Sequence, residues 1–198
     1  TGLSIEGLMP NSITTGLIES GIIQFGWFKT GDQLSPIRFS TEYLPAYPYL
    51  MNAILAELKK RLNFKQYDRI LTTQDALPLA IGLALEYEIS VVYNQPNGKG
   101  VAFEFIGAYT SGQSAILLTC APLSSEIISH LISQANSAGL VVNRMVGVIS
   151  AGKTQTIQLS QPNEYLIRLE DCANELVYEN QVPERQINSV LQWLQQMP

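Results

Sequence analysis

Cysteine and histidine are nearly missing from this chain, which has two cysteines, Cys120 and Cys172, and a single histidine, His130, in 198 residues. So small a set makes no disulfide framework and leaves a Cys/His zinc site short of ligands. Charge is scarce too, at 15% of residues, and it leans acidic, with 12 Lys and Arg against 17 Asp and Glu for a formal net charge of -5. That balance argues against a broad nucleic-acid surface, while a local anion pocket stays open. No apolar run approaches the roughly 20 residues needed to span a bilayer. No charged start followed by an apolar core and cleavage site marks a secretory signal. The expectation is a soluble cytoplasmic protein with neither a nucleic acid nor a membrane as partner.

What is present is apolar and evenly spread. At 46% hydrophobic residues the chain can bury a sizeable core, and residues 1–198 read as one domain, with no internal repeat or low-complexity linker. Asn11 or Ser12 is placed to cap a first helix that Gly21 ends near Ser20. Residues 22–28 and 36–40 read as strands of a small antiparallel flap around Gly31-Asp32. Pro48 suits the first turn of a helix whose stripe is Leu50, Met51, Ile54, Leu55, Leu58 and Leu62, with Lys59, Lys60 and Arg61 solvated at its C-terminal end. Then follow a strand at Arg69 to Thr73, a helix at Leu77 to Tyr87 and a strand at Ile89 to Tyr93. Ser114 to Thr119 is apolar enough for a strand buried on both faces. A helix over Ser125 to Ser137 shows Ile127, Ile128, Leu131, Ile132 and Ala135 on one face, and Gly139 is a left-handed stop. Arg144 to Ser150 and Tyr165 to Arg168 read as late strands, and Ile187, Val190, Leu191 and Leu194 as the stripe of a last helix. Strands alternating with helices predict an α/β fold with a central parallel sheet.

The most informative stretch is Ala115-Ile116-Leu117-Leu118-Thr119-Cys120-Ala121-Pro122-Leu123-Ser124-Ser125-Glu126. An apolar strand, a short turn and hydroxyls opening a helix form the layout that delivers an anion to a helix N-terminus. Two further segments precede it, Phe28-Lys29-Thr30-Gly31-Asp32-Gln33-Leu34-Ser35-Pro36 and Ile70-Leu71-Thr72-Thr73-Gln74-Asp75-Ala76-Leu77-Pro78-Leu79-Ala80. In that order, over about residues 10 to 170, they resemble the substrate loop, diphosphate turn and ribose-phosphate motif of the type I phosphoribosyltransferases, and within them the orotate phosphoribosyltransferases.

The resemblance implies a type I phosphoribosyltransferase-like (Rossmann-like) parallel sheet flanked by helices, with about residues 1–45 contributing to a small N-terminal hood. It also implies a homodimer and a base, nucleoside or nucleotide ligand. Mapped onto this sequence, it marks Lys29, Thr73, Gln74, Asp75, Cys120, Ala121, Ser124, Ser125 and Glu126 as candidate ligand-binding positions. Lys29 and Lys99, the latter in the short Gly-flanked segment Asn94 to Gly100, are the possible remnants of catalytic lysines.

Phosphoribosyl transfer passes through a transition state with positive charge on the ribose. It needs carboxylates for the ribose, amides for the 5'-phosphate, and cations for the leaving diphosphate. Where the family carries an acidic pair this chain has Cys120 and Ala121, and Glu126 replaces a glycine of the phosphate turn. Side chains and a negative charge also fill the diphosphate turn at Gln74-Asp75-Ala76. Each position also has a plain structural reading. Ser124 caps a helix whose positive end Glu126 decorates, Asp75 starts the helix at Ala76, Lys29 and Lys99 flank turns, and His130 sits on the polar side of its helix. Losses at three anion-handling positions favour a catalytically silent, ligand-binding or regulatory relative, without a resident cofactor. One alternative is an active enzyme, magnesium-dependent, that draws carboxylates from Asp75, Glu104 or Glu126. The other is a dimeric scaffold.

Overall fold

A computed structural model describes residues 10–30, 33–96, 103–150, 159, 161–170 and 183–196. The chain begins with α1 (Pro10–Glu19) and a hairpin of β1 (Ile23–Thr30) and β2 (Gln33–Phe39), followed by α2 (Pro48–Arg61). The central part comprises β3 (Arg69–Thr72), α3 (Leu77–Tyr87), β4 (Ser90–Pro96), β5 (Phe103–Ile106), β6 (Ser114–Thr119), α4 (Ser125–Ser137) and β7 (Val141–Ser150). Then come β8 (Glu164–Arg168) and α5 (Glu184–Gln196). The hairpin forms its own two-stranded sheet, and the other strands form a six-stranded sheet in the order β5-β4-β3-β6-β7-β8. Five of the six run parallel, and β5 pairs antiparallel with β4.

Alternation along the central strands sorts the core into two layers, as a sheet covered on both faces requires. Ile70, Ile116 and Leu118 share a cluster with Leu50, Ile54 and Leu58 of α2 and Leu79, Ala80 and Leu83 of α3. Leu71, Ala115 and Leu117 face the other way, onto Ile128, Leu131, Ile132 and Ala135 of α4. The strands at 69–73 and 115–119 are parallel neighbours, with Ile70 beside Ile116 and Leu71 beside Leu117. Ser124 caps α4 in extended conformation, its Oγ accepting from the Ile127 N–H at 3.3 Å. Gly21 and Gly139, with φ of +72° and +99°, end α1 and α4 in backbone that other residues avoid. The basic end of α2 is solvated as expected, with Lys59 paired to Glu86 at 2.8 Å and Lys60 to Glu57 at 2.6 Å.

Several boundaries move. The helix α1 starts at Pro10, so Asn11 and Ser12 lie inside it rather than capping it. The hairpin strands run longer toward the turn, and β7 starts three residues earlier, at Val141. Asn94, Gln95 and Pro96, read from sequence as loop, are the end of β4, where they pair with Phe105, Glu104 and Phe103 of a strand the sequence pattern did not reveal. Four residues are too few to show a period, and β5 exists through its pairing with β4. Ile127 is 45% exposed rather than on the buried face of α4, because the sheet beneath takes the stripe centred on Ile128, Leu131 and Ala135. No described helix is long and apolar enough to cross a membrane.

Candidate functional site

The strand order places β4 on one side of β3 and β6 on the other, so the connections leaving β3 and β6 diverge at their carboxyl ends. In open α/β sheets this switch point is where ligands bind, because the divergence opens a crevice between two turns. Here the turns are residues 73–76 and 120–124. After β3 the chain makes a short 3₁₀ turn at Gln74–Ala76, preceded by Thr73 in extended conformation, and only then enters α3 at Leu77. The helix over Leu77 to Tyr87 is as the sequence predicts, with Ala76 as its N-cap residue. Asp75 lies in the intervening turn, where its side chain is free to reach across the sheet.

It does reach across. The Asp75 Oδ2 accepts the Ala121 N–H at 2.7 Å, in the range of a charge-assisted hydrogen bond. Around this contact the backbone is pinned from both sides. The Leu118 carbonyl accepts from Thr73 N at 3.3 Å and from the Thr72 hydroxyl at 3.1 Å, and the Cys120 carbonyl accepts from Ile149 N at 3.1 Å. The fold thus brings together Thr73, Gln74 and Asp75 with Cys120, Ala121, Ser124 and Ser125. Gln74 and Ser124 are exposed, Asp75, Ala121 and Ser125 are half-buried, and Thr73 is buried with no partner for its hydroxyl among the described residues.

Cys120 is not at the crevice surface. Its residue is 1% exposed and belongs to the core layer beneath α2 and α3. Burial raises the thiol far above its ordinary pKa, and the Asp75 charge raises it further, so it stays protonated and unreactive at neutral pH. Glu126 is exposed in the first turn of α4, where it complements the helix dipole. Glu104, on β5, stands opposite Gln95 and three strand positions from β6, or about 14 Å at the usual inter-strand spacing. That distance removes it from any pair with Asp75 at β6. Lys29 is exposed on β1 of the separate hairpin, where no described hydrogen bond or ion pair links it to either turn. Lys99 lies outside the described residues. Among the described residues no group of three or more His, Cys, Asp or Glu is arranged to hold a metal ion.

Two further features were not legible in the sequence. Asp68 accepts from the Ser114 N–H at 2.8 Å and the Ser114 hydroxyl at 2.7 Å, clamping the start of β6 to β3. The hydroxyl first, then the N–H, with the Arg69 charge adding, hold its carboxyl below the ordinary range. Second, a cleft of about 240 Å³ lies between the hairpin and α5, lined by Gly26, Trp27, Pro36, Arg185, Gln186 and Ser189. A bulge between Phe25 and Phe28 opens it and turns Trp27 outward, 69% exposed. None of those six residues belongs to the turns after β3 or β6. We place the candidate site at the switch point, where the backbone amide and the carboxylate meet.

By sequence the chain matches no family model and no curated protein. By structure it is similar to UMP synthase from Leishmania donovani, with a TM-score of 0.78 at 23% identity over 99% of this chain. The chain spans 43% of that protein's length. It is also similar to orotate phosphoribosyltransferase from Aeropyrum pernix, with a TM-score of 0.70 at 16% identity, over 84% of this chain and 98% of that one. A third structure is adenine phosphoribosyltransferase from Rhodothermus marinus, at 0.58 and 12% identity over 78% of this chain and 99% of that one. These matches establish the fold, which is that of the type I phosphoribosyltransferases. Within that class the likeness to the UMP synthase and to the orotate enzyme exceeds that to the adenine enzyme.

Proposed function

We propose that this protein is an orotate phosphoribosyltransferase-like protein of nucleotide metabolism whose switch-point crevice binds a base, nucleoside or other weakly anionic ligand without transferring a phosphoribosyl group. The observation that carries this reading is the chemistry of the turn after β6. Where phosphoribosyl transfer needs paired carboxylates, Cys120 is buried in the core and Ala121 offers only a backbone amide, already engaged by Asp75. One carboxylate spent on an amide supports developing positive charge poorly, and a phosphate entering the turn meets its repulsion. No resident cofactor is part of the proposal. Magnesium would enter only with the diphosphate of a substrate, if the alternative of an active enzyme held.

Calorimetric titration with magnesium phosphoribosyl diphosphate tests the reading, because that ligand spans every altered position. The expected result is no saturable heat. Micromolar binding, followed by nucleotide formation from orotate, would replace this proposal with an active enzyme.

We also propose that the protein acts as a homodimer. The support is α3, which is apolar on both sides and leaves Ile81 47% and Leu85 79% exposed one turn apart. A cytoplasmic location belongs to the same reading.

A further inference from the structure

Asp75 carries a consequence for what the crevice can bind. Its Oδ2 holds the Ala121 N–H at 2.7 Å, and its other oxygen has no hydrogen bond or ion pair among the described residues. No described Lys or Arg neutralises the charge. The Ala121 amide cannot easily turn away from its partner, since the preceding carbonyl is bound to Ile149 and the strand before it is bound to Thr72 and Thr73. An amide fixed at the end of a strand, at a sheet switch point, is a ready donor for an anion. In this chain the anion comes from the chain itself.

We infer that Asp75 is the specificity-determining residue of the crevice. Its carboxylate, fixed by the Ala121 N–H, sets an unneutralised negative charge between the two turns, excludes phosphate-bearing ligands by that charge, and leaves Oδ1 as an acceptor for a neutral hydrogen-bond donor such as the vicinal hydroxyls of a nucleoside. The inference rests on the proposal that the crevice is the ligand site. Two like charges about 4 Å apart weaken phosphate binding between about 5-fold in bulk water and about 1,000-fold at the effective dielectric of a protein surface. The Asp75 charge is thus large enough to decide the class of ligand.

The test is a 1H–15N titration of the full chain with inorganic phosphate, read at the Ala121 amide, for the wild type, Asp75→Asn and Asp75→Ala. The asparagine variant keeps an oxygen for the Ala121 N–H and removes the charge, and the alanine variant frees the N–H. The wild-type resonance is expected to stay in place up to about 10 mM phosphate. In both variants it should move saturably, with apparent affinity at least about tenfold higher than in the wild type. A saturable wild-type shift overturns the inference. So does a folded Asp75→Ala protein, its Ala121 resonance displaced by loss of the bond, that still ignores phosphate. If Asp75→Ala does not fold, Asp75→Asn decides by the same criterion. A phosphate response confined to the variants, combined with no response of the wild type to uridine, would sink the ligand-binding proposal and leave the role of Asp75 standing.

Discussion

Restoring one acid of the missing pair should damage the protein before it restores any chemistry, and Cys120→Asp measures by how much. Cys120 is 1% exposed and packs in the layer that contains Ile70, Leu118 and Val148. Its Cα is two bonds from the Ala121 nitrogen, which lies 2.7 Å from the Asp75 Oδ2. A new carboxylate therefore starts about 5 Å from an existing one. At an effective dielectric of 20 that repulsion is about 3 kcal/mol, and an unpaired buried charge typically costs about 3–5 kcal/mol in total. The variant can limit the loss by taking up a proton, which caps the cost and makes it depend on pH. With its folded pKa raised above the unfolded value near 3.9, the substituted acid costs nothing electrostatic in strong acid, and the cost grows as pH rises above about 4. Cys120→Ala, which removes the sulfur alone, should cost about 1 kcal/mol at any pH.

Urea unfolding of the wild type and both variants at about pH 7 and about pH 4.5 reads these values directly. With a slope near 2 kcal/mol per molar, a loss of about 4 kcal/mol lowers the midpoint by about 2 M. Adding Asp75→Asn to Cys120→Asp should recover much of the loss, because it removes the like charge. The reasoning fails if Cys120→Asp matches Cys120→Ala at neutral pH, or if its deficit does not shrink in acid. Either result would mean that the side chain escapes to water and that the buried position of Cys120 does not bar the family's acid.

Two other outcomes are expected. Asp68, with its pKa lowered by Ser114, stabilises the fold above the unfolded pKa near 3.9, and that contribution is lost as pH falls through its lower folded value; Asp68→Asn should flatten the acid limb of melting temperature against pH, and an unchanged limb would refute the clamp. If α3 forms the homodimer face, the wild type sediments as a dimer and Leu85→Glu, at a 79% exposed position, as a folded monomer whose melting temperature, unlike the wild type's, does not depend on concentration, whereas a monomeric wild type refutes the dimer.

Local pattern carried much of the architecture. The bounds of α3 and α4 and of β6 follow from a helical stripe, from a cap at Ser124 and from an unbroken apolar run, and each of these is written within a dozen residues. The same is true of the hairpin of β1 and β2 and of the Gly139 stop. The motif resemblance pointed to the two turns that follow the adjacent strands β3 and β6, and neither Cys120 nor Ala121 carries an acid. Local reading of the residues favoured a cap at Ser124, and the cap geometry agrees.

What the sequence could not supply depends on contacts between distant segments. The strand β5 is made by its pairing with β4, and the exposure of Ile127 by how α4 settles on the sheet. The bond from Asp75 to Ala121, like the clamp from Asp68 to Ser114, joins residues 46 positions apart. No local propensity encodes such a meeting, because it requires β3 and β6 to be parallel neighbours in register. The sequence by itself determined most of the elements and that Cys120 and Ala121 carry no acid. Only the tertiary structure decided that Cys120 faces the core and that the carboxylate of one turn binds the amide of the other, since burial and long-range hydrogen bonds exist only once the sheet has formed.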